Sequence, residues 1–300
     1  MKKVLIIGGS SFVARNIVTS FSKDYEIKTV TRNATGYANE ILVEDYFKLD
    51  KTIFQDCEIV INCAAIVHQP AMTDESIYNR VNFELPIYIA KLAKEAGVCQ
   101  FLQLSTIAVY GSATQISINT TELPINLYGS SKLKADQELL KMTSDTFVVI
   151  CIRPPMIYGG GDAPGNMMRL IELVDKKIPL PFGNSHNKRD FIYIKTLAQY
   201  CQYALERNQT AIYLVKDSFS VSTKELVVLI IRKLGVRTSI FSIPVFLLTF
   251  LKKVKPSIFE KLFGQLTLTS NLEINEYSKQ QDLETGIEEM VAFYKGKKSN

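Results

Sequence analysis

Short apolar runs alternate with longer stretches of helical period through the first half of this chain, and no other feature limits its fold as strongly. The short runs 4–7, 26–30, 41–43, 59–63, 101–104 and 147–152 read as strands, most of them apolar on both faces, and stretches 12–21, 79–96 and 130–142 carry helical spacing between them. A strand apolar on both faces needs helices on either side of its sheet, so the pattern predicts an α/β fold with a doubly wound parallel sheet. A content of 47% hydrophobic and 22% charged residues excludes a disordered chain, and 300 residues allow one large domain or two modest ones.

The pattern changes after Arg153-Pro154-Pro155, where Gly159-Gly160-Gly161 and Pro164-Gly165 form a loop before a helix expected over 166–177. Strands follow at 191–194 and 212–215, with Thr196 placed to cap a helix running to Glu206, then helices at 223–234, 245–254 and 283–294. The expected division is a nucleotide-binding part, residues 1–152 with 187–215, and a smaller mixed C-terminal substrate lobe, residues 153–186 with 216–300. Cys57, Cys63, Cys99, Cys151 and Cys201 form no C-x-x-C pair, which reads as a reduced, cytoplasmic chain. With His68 and His186 the only imidazoles, neither a metal site nor a Ser-His-Asp hydrolase is expected. The longest apolar stretch, 241–251, is interrupted by Ser242, Pro244 and Thr249 and is too short to span a bilayer.

Two motifs carry chemistry. The first strand runs into Gly8-Gly9-Ser10-Ser11-Phe12-Val13-Ala14 and then a helix. Small residues there let the backbone turn sharply and let a pyrophosphate approach the amides at the helix start. The second motif is Tyr128-Gly129-Ser130-Ser131-Lys132, preceded by Ser105-Thr106-Ile107-Ala108-Val109-Tyr110-Gly111 at the end of a strand. Tyr128 and Lys132 share a helix face. A phenol titrates near 10, and acid/base work near neutrality asks for a shift of roughly three pH units, about 4 kcal/mol, which a neighbouring ammonium and a hydroxyl donor can provide. Thr106 is the candidate hydroxyl, bonding either the phenol or a substrate oxygen. The pair could equally be an exposed helical couple.

Taken together these residues resemble the extended short-chain dehydrogenase/reductase family, in its nucleotide-sugar epimerase, dehydratase and ketoreductase branch. The likeness extends to Val60-Ile61-Asn62-Cys63-Ala64-Ala65, Val81-Asn82, Ile152-Arg153-Pro154-Pro155-Met156-Ile157-Tyr158-Gly159 and Arg189-Asp190-Phe191-Ile192-Tyr193, in the family's order. It implies a Rossmann sheet and a cytoplasmic homodimer pairing through helices 79–96 and 130–142. Tyr128 is then the general acid/base, Lys132 holds the nicotinamide ribose and lowers the phenol pKa, and Thr106 aids proton transfer and touches substrate. Gly8, Ser11, Phe12, Val13, Arg32, Asp45, Cys63, Ala64, Ala65, Asn82, Pro154 and Ile157 would contact the dinucleotide with them. Arg189 and Asn166 would meet the substrate diphosphate; alternatively Arg189 pairs with Asp190 and Asn166 only caps a helix.

Dehydratases of this branch place Asp-Glu after the catalytic Thr, whereas this chain has Ile107-Ala108. The resemblance therefore implies an NAD(P)-dependent enzyme acting at C4 of a nucleotide-linked hexose: a reductase of a UDP-linked 4-keto-6-deoxy or N-acetyl sugar for bacterial surface polysaccharide. The alternative is a 4-epimerase with tightly held NAD; a rival of another class is a non-catalytic dinucleotide sensor or scaffold. Arg32, in Thr31-Arg32-Asn33 after the second strand, leans the cofactor toward NADP(H) by offering a site for a 2′-phosphate.

The net charge of +5 is uneven. Lys224, Arg232, Lys233, Arg237, Lys252, Lys253 and Lys255 flank the apolar 241–251 stretch with Glu225 the one acid among them. This reads either as a solvated basic face or as peripheral contact with an anionic membrane. Nucleic acid is not an expected partner.

Overall fold

A computed structural model describes residues 1–67, 74–272 and 280–299. His68 lies outside them. The strands are β1 (Lys2–Ile7), β2 (Tyr25–Thr31), β3 (Glu40–Leu42), β4 (Ile59–Asn62), β5 (Gln100–Leu104), β6 (Gln115–Ile116), β7 (Val148–Arg153), β8 (Met156–Tyr158), β9 (Phe191–Tyr193), β10 (Ala211–Leu214) and β11 (Thr267–Leu268). The helices are α1 (Phe12–Phe21), α2 (Glu75–Tyr78), α3 (Leu85–Glu95), α4 (Leu127–Lys141), α5 (Asn166–Asp175), α6 (Ile194–Arg207), α7 (Thr223–Leu234), α8 (Val245–Val254), α9 (Pro256–Phe263) and α10 (Gln280–Ser299).

Seven strands form one parallel sheet in the order β10-β7-β5-β4-β1-β2-β3. Val4, Leu5, Ile6 and Ile7 are fully buried, which requires cover on both faces. Alternate residues face opposite ways. Val4 and Ile6 join a core with Ala14, Ile17 and Leu197, from α1 and α6, while Leu5 and Ile7 join another with Leu85, Ile89 and Leu139, from α3 and α4. The chain reverses its strand order between β1 and β4, and in open α/β sheets the crevice at that switch point takes ligands.

The remaining elements, α5 and α7 to α10, pack beyond the sheet around Met167, Ile171, Leu226, Ile230, Ile287 and Met290. α7 opens with a reciprocal cap between Ser222 and Glu225. None of the residues of helix α8 is buried. Among the described residues, no helix is long and apolar enough to cross a membrane.

Three local expectations need correction. Stretch 79–96 is not one α-helix: it begins at Glu75 and passes through a π-helical segment, Asn79–Glu84, before α3. Thr196 does not cap α6. The cap position is Tyr193, because β9 leads directly into the helix and the Asp217 carboxylate accepts from the Tyr193 N–H. Nor does Asn166 cap α5; Gly165 holds that position, and Asn166 is the first helical residue, exposed.

Candidate active site

The loop after β1 is held by backbone geometry. Gly8 has φ +82°, and a Cβ there would lie 2.7 Å from the Ala64 nitrogen, so β1 and the loop after β4 touch only because this residue has no side chain. Ser11 then caps α1, its hydroxyl accepting from the Ala14 N–H. The α1 N-terminus thereby faces a cleft of about 370 Å³ lined by Gly8, Ser11, Arg32, Asp45, Cys63, Ala64 and Ala65, among others. Aligned amides at a helix start favour an anion. Arg32 and Asp45 lie at the far end: Arg32 stands 5.7 Å over the Tyr46 ring, and Asp45 pairs with Arg80 at 2.9 Å.

A second cavity, of about 280 Å³, shares Ser11, Cys63 and Ala65 with the first and is lined also by Phe12, Val13, Thr106, Tyr128, Lys132, Pro154 and Ile157. A long ligand laid across both would have its phosphates near α1 and its far end against Tyr128. The residues present fit a nicotinamide dinucleotide on this observation: a cradle that a Cβ at Gly8 would fill, beside a capped helix start.

Tyr128 sits in the first turn of α4, which starts three residues earlier than expected because Asn126 caps it, accepting from the Gly129 N–H. Gly129 lets α4 press on the turn that carries Thr106, since a Cβ there would lie 2.6 Å from the Ala108 carbonyl oxygen. The Thr106 hydroxyl accepts from the Ala108 N–H at 3.1 Å and stands close enough to the Tyr128 phenol to lower its pKa.

The electrostatics reverse one expectation. Burial raises the Tyr128 phenol to about 12, and Thr106 opposes the rise without cancelling it. Lys132 does not pull it down, because its ammonium is directed at the Leu104 carbonyl, 2.8 Å away. Lys132 is itself only 2% exposed, and burial depresses its pKa from 10.5 to about 8, with Asp136 opposing. A depressed lysine penalises the fold fully below about pH 8, and the penalty fades as pH climbs toward the unfolded value of 10.5. Lys132→Met is therefore expected to stabilise the protein at pH 7 by up to about 3 kcal/mol while reducing turnover, with the stability gap closing toward pH 10. Urea unfolding at the two pH values checks it.

Sequence reasoning missed what stands behind Lys132. Asp136, one helical turn on and completely buried, accepts from Ser105 at 2.7 Å and from Arg153 Nε at 2.9 Å. Arg153, 1% exposed, also donates to the Tyr110 hydroxyl at 2.8 Å and pairs with Glu122. The signal was present in the four-residue steps Tyr128, Lys132, Asp136, which place all three on one face of α4.

Three nominated residues lie elsewhere. Asn82, in the π-helical segment, is buried and does not line either cavity: its side chain bonds both backbone groups of Ile66 at 2.9 Å and Ser131 at 3.3 Å, which fixes the loop after β4. Asn166 and Arg189 do not line the cavities either. Arg189 donates to the carbonyls of Glu260 at 2.9 Å and Gly264 at 3.0 Å, so its charge meets the carboxyl end of α9. Its neighbour Asp190 pairs with Lys216 instead. All five cysteines are free, with Cys99 exposed and the others buried. Among the described residues no cluster of metal-ligating side chains occurs.

A dinucleotide-sized cleft at the switch point of a parallel sheet, ending at a Tyr-Lys pair and a hydroxyl, defines a class of nicotinamide-dependent oxidoreductase site. Residues 4–215 match the model of the NAD dependent epimerase/dehydratase family, and the chain belongs to that family. It is 29% identical to a UDP-glucose 4-epimerase of Vibrio cholerae, over 98% of this chain and 95% of that one. It is 26% identical to the N-acetyl-alpha-D-glucosaminyl-diphospho-ditrans,octacis-undecaprenol 4-epimerase of Escherichia coli O157:H7, over 68% and 63%. Among solved structures, the UDP-Glc/GlcNAc 4-epimerase of Campylobacter jejuni shares the fold with a TM-score of 0.78 at 19% identity, covering 99% of this chain and 100% of that one.

Proposed function

We propose that this protein is an NAD-dependent 4-epimerase of a nucleotide-linked hexose, with Tyr128 handling the proton of the C4 hydroxyl. The observation that carries the reading is the Tyr128 phenol, set beside an oriented Thr106 hydroxyl and Lys132 at the end of a cleft shaped for a dinucleotide. Similarity to the V. cholerae 4-epimerase along nearly the whole chain favours epimerisation over the net reduction of a 4-keto sugar. Gly8, Ser11, Asp45 and Ala64 would hold the dinucleotide, with Lys132 at the nicotinamide end.

When bound, oxidised nicotinamide supplies a hydride acceptor and a positive charge, which favours the phenolate. Tyr128 would take the proton from the C4 hydroxyl as the sugar is oxidised to its 4-keto form, and would give the proton back to the C4 oxygen when the turned sugar is reduced on its other face. Lys132, one turn along α4, keeps an ammonium within the pocket wall. Ile107 and Ala108 offer no carboxylate for elimination of water.

In this reading the cofactor is kept through the cycle and is NAD. The Arg32 guanidinium is already drawn onto Tyr46. Purified protein is expected to carry NAD and to interconvert C4 epimers of UDP-hexoses with no net use of NADH or NADPH. Stoichiometric NADPH consumption with a 4-keto sugar would establish the reductase instead, and bound dinucleotide with no sugar conversion would favour the sensor.

A second reading rests on one structural observation, the exposed apolar side of α8. A sugar carried on a polyprenyl diphosphate, as in the name of the E. coli relative, would bring the substrate to a membrane surface. Assay of polyprenyl-diphosphate-linked N-acetylhexosamine beside the UDP-linked sugar separates the two.

A further inference from the structure

Helix α8 is half of a pair with α9, and it turns only Leu248 and Leu251 inward enough to be half-buried. Phe246, Phe250 and Val254, one turn apart, are 70%, 63% and 54% exposed, and Leu247 lies beside them on the same side. Four apolar side chains in one exposed stripe, two of them aromatic, are not what a fully hydrated helix carries. Phe241 continues the patch from the preceding segment.

The charge around the stripe is of one sign. From Leu226 to Phe259 the sequence contains no acidic residue and six basic ones. Arg232 and Lys233 are neutralised by Glu284 and Glu288 of α10, and Lys252 is turned toward the protein, over the Phe259 ring and 3.9 Å from Glu260. Arg237, Lys253 and Lys255 form no ion pair among the described residues. Lys253 directly precedes Val254 and Lys255 follows it, so flexible ammonium groups border the apolar stripe.

We propose that α8 docks this protein onto an anionic membrane surface, lying in the interface with Phe246, Leu247, Phe250 and Val254 among the acyl chains. Lys253, Lys255 and Arg237 reach the phosphate layer. Short apolar faces bordered by lysine bind in this way, because the long stems lie along apolar surface while their heads stay hydrated at the anions. A second copy of the chain fits less well as the occupant, since a two-fold pairing of this face sets the same uncompensated lysines against one another. The inference does not depend on the epimerase reading, and its test uses no sugar substrate.

The chain has no tryptophan, so Phe250→Trp introduces a single fluorescent reporter. With vesicles of equal parts phosphatidylglycerol and phosphatidylcholine at low salt, its emission is expected to shift to the blue and the protein to float with the vesicles. Pure phosphatidylcholine is expected to bind at least about tenfold less. The double variant Phe246→Ser, Phe250→Ser should lose at least about tenfold in vesicle binding with its Tm unchanged, and Lys253→Glu with Lys255→Glu should lose the preference for the anionic lipid. Failure of the unaltered chain to float with anionic vesicles at low salt overturns the proposal, as does equal flotation of the serine variant. A dimer that the serine substitutions dissociate, without vesicle binding by the parent, would assign the face to a second copy and overturn it as well.

Discussion

Tyr128→Phe is expected to cut turnover by about a thousandfold, within the range that a positioned acid or base contributes. Its dinucleotide content should be unchanged, because the cradle is built from Gly8, Ser11 and Ala64 at the other end of the cleft. Stability should change little, since the Thr106 hydroxyl beside the phenol keeps its own partner, the Ala108 N–H. The phenol is held at about 12 by burial, so at neutral pH the tyrosine without cofactor is protonated and a ready acid. Its use as a base needs a positive charge nearby. Measured on NAD-loaded protein with a UDP-hexose, near-normal turnover by the phenylalanine variant would remove Tyr128 from the chemistry and with it the proposed mechanism.

The largest loss of stability is expected at Arg153. Its guanidinium is 1% exposed and shared by Asp136, Glu122 and Tyr110, and Asp136 is fully buried with a second oxygen that has no hydrogen-bond partner. Removing one member of a buried ion pair leaves the other without compensation, which costs about 3 to 5 kcal/mol. Arg153→Met should therefore lower Tm by on the order of 10 °C. Adding Asp136→Asn should recover part of that loss, because the stranded carboxylate is then gone. Calorimetry on the two single variants and the double variant measures the coupling; additive losses would show that the pair acts as two separate structural residues. The double variant should also have altered activity, since Asp136 is the nearest acid on the helix face of Lys132.

Much of this arrangement is legible in the linear sequence. Both-face apolar strands such as 4–7 and 59–62 have to lie in a covered sheet, and helices between strands make that sheet parallel; the strand order is decided by the tertiary structure. The glycine-rich turn and the Tyr128-Lys132 spacing are local, so the contacts of Gly8, Ser11, Thr106 and Tyr128 could be anticipated. The π-helical segment could not: its extra residue per turn lets Asn82 clamp Ile66, a contact made only when the loop after β4 is in place.

Arg189 illustrates the same limit. A sequence run of the right type pointed it at a diphosphate, but its orientation is set by the carboxyl end of α9, about seventy residues away in the chain. The sequence by itself determined the class of fold, the glycine turn that opens α1 and the shared helix face of Tyr128 and Lys132, because those depend on spacing within single strands, turns and helices. Only the tertiary structure decided the ionisation of the site and the buried Arg153-Asp136 support. It also decided that α8 turns its phenylalanines to solvent. Burial and long-range partners set a group's charge and exposure, and neither is written in local spacing.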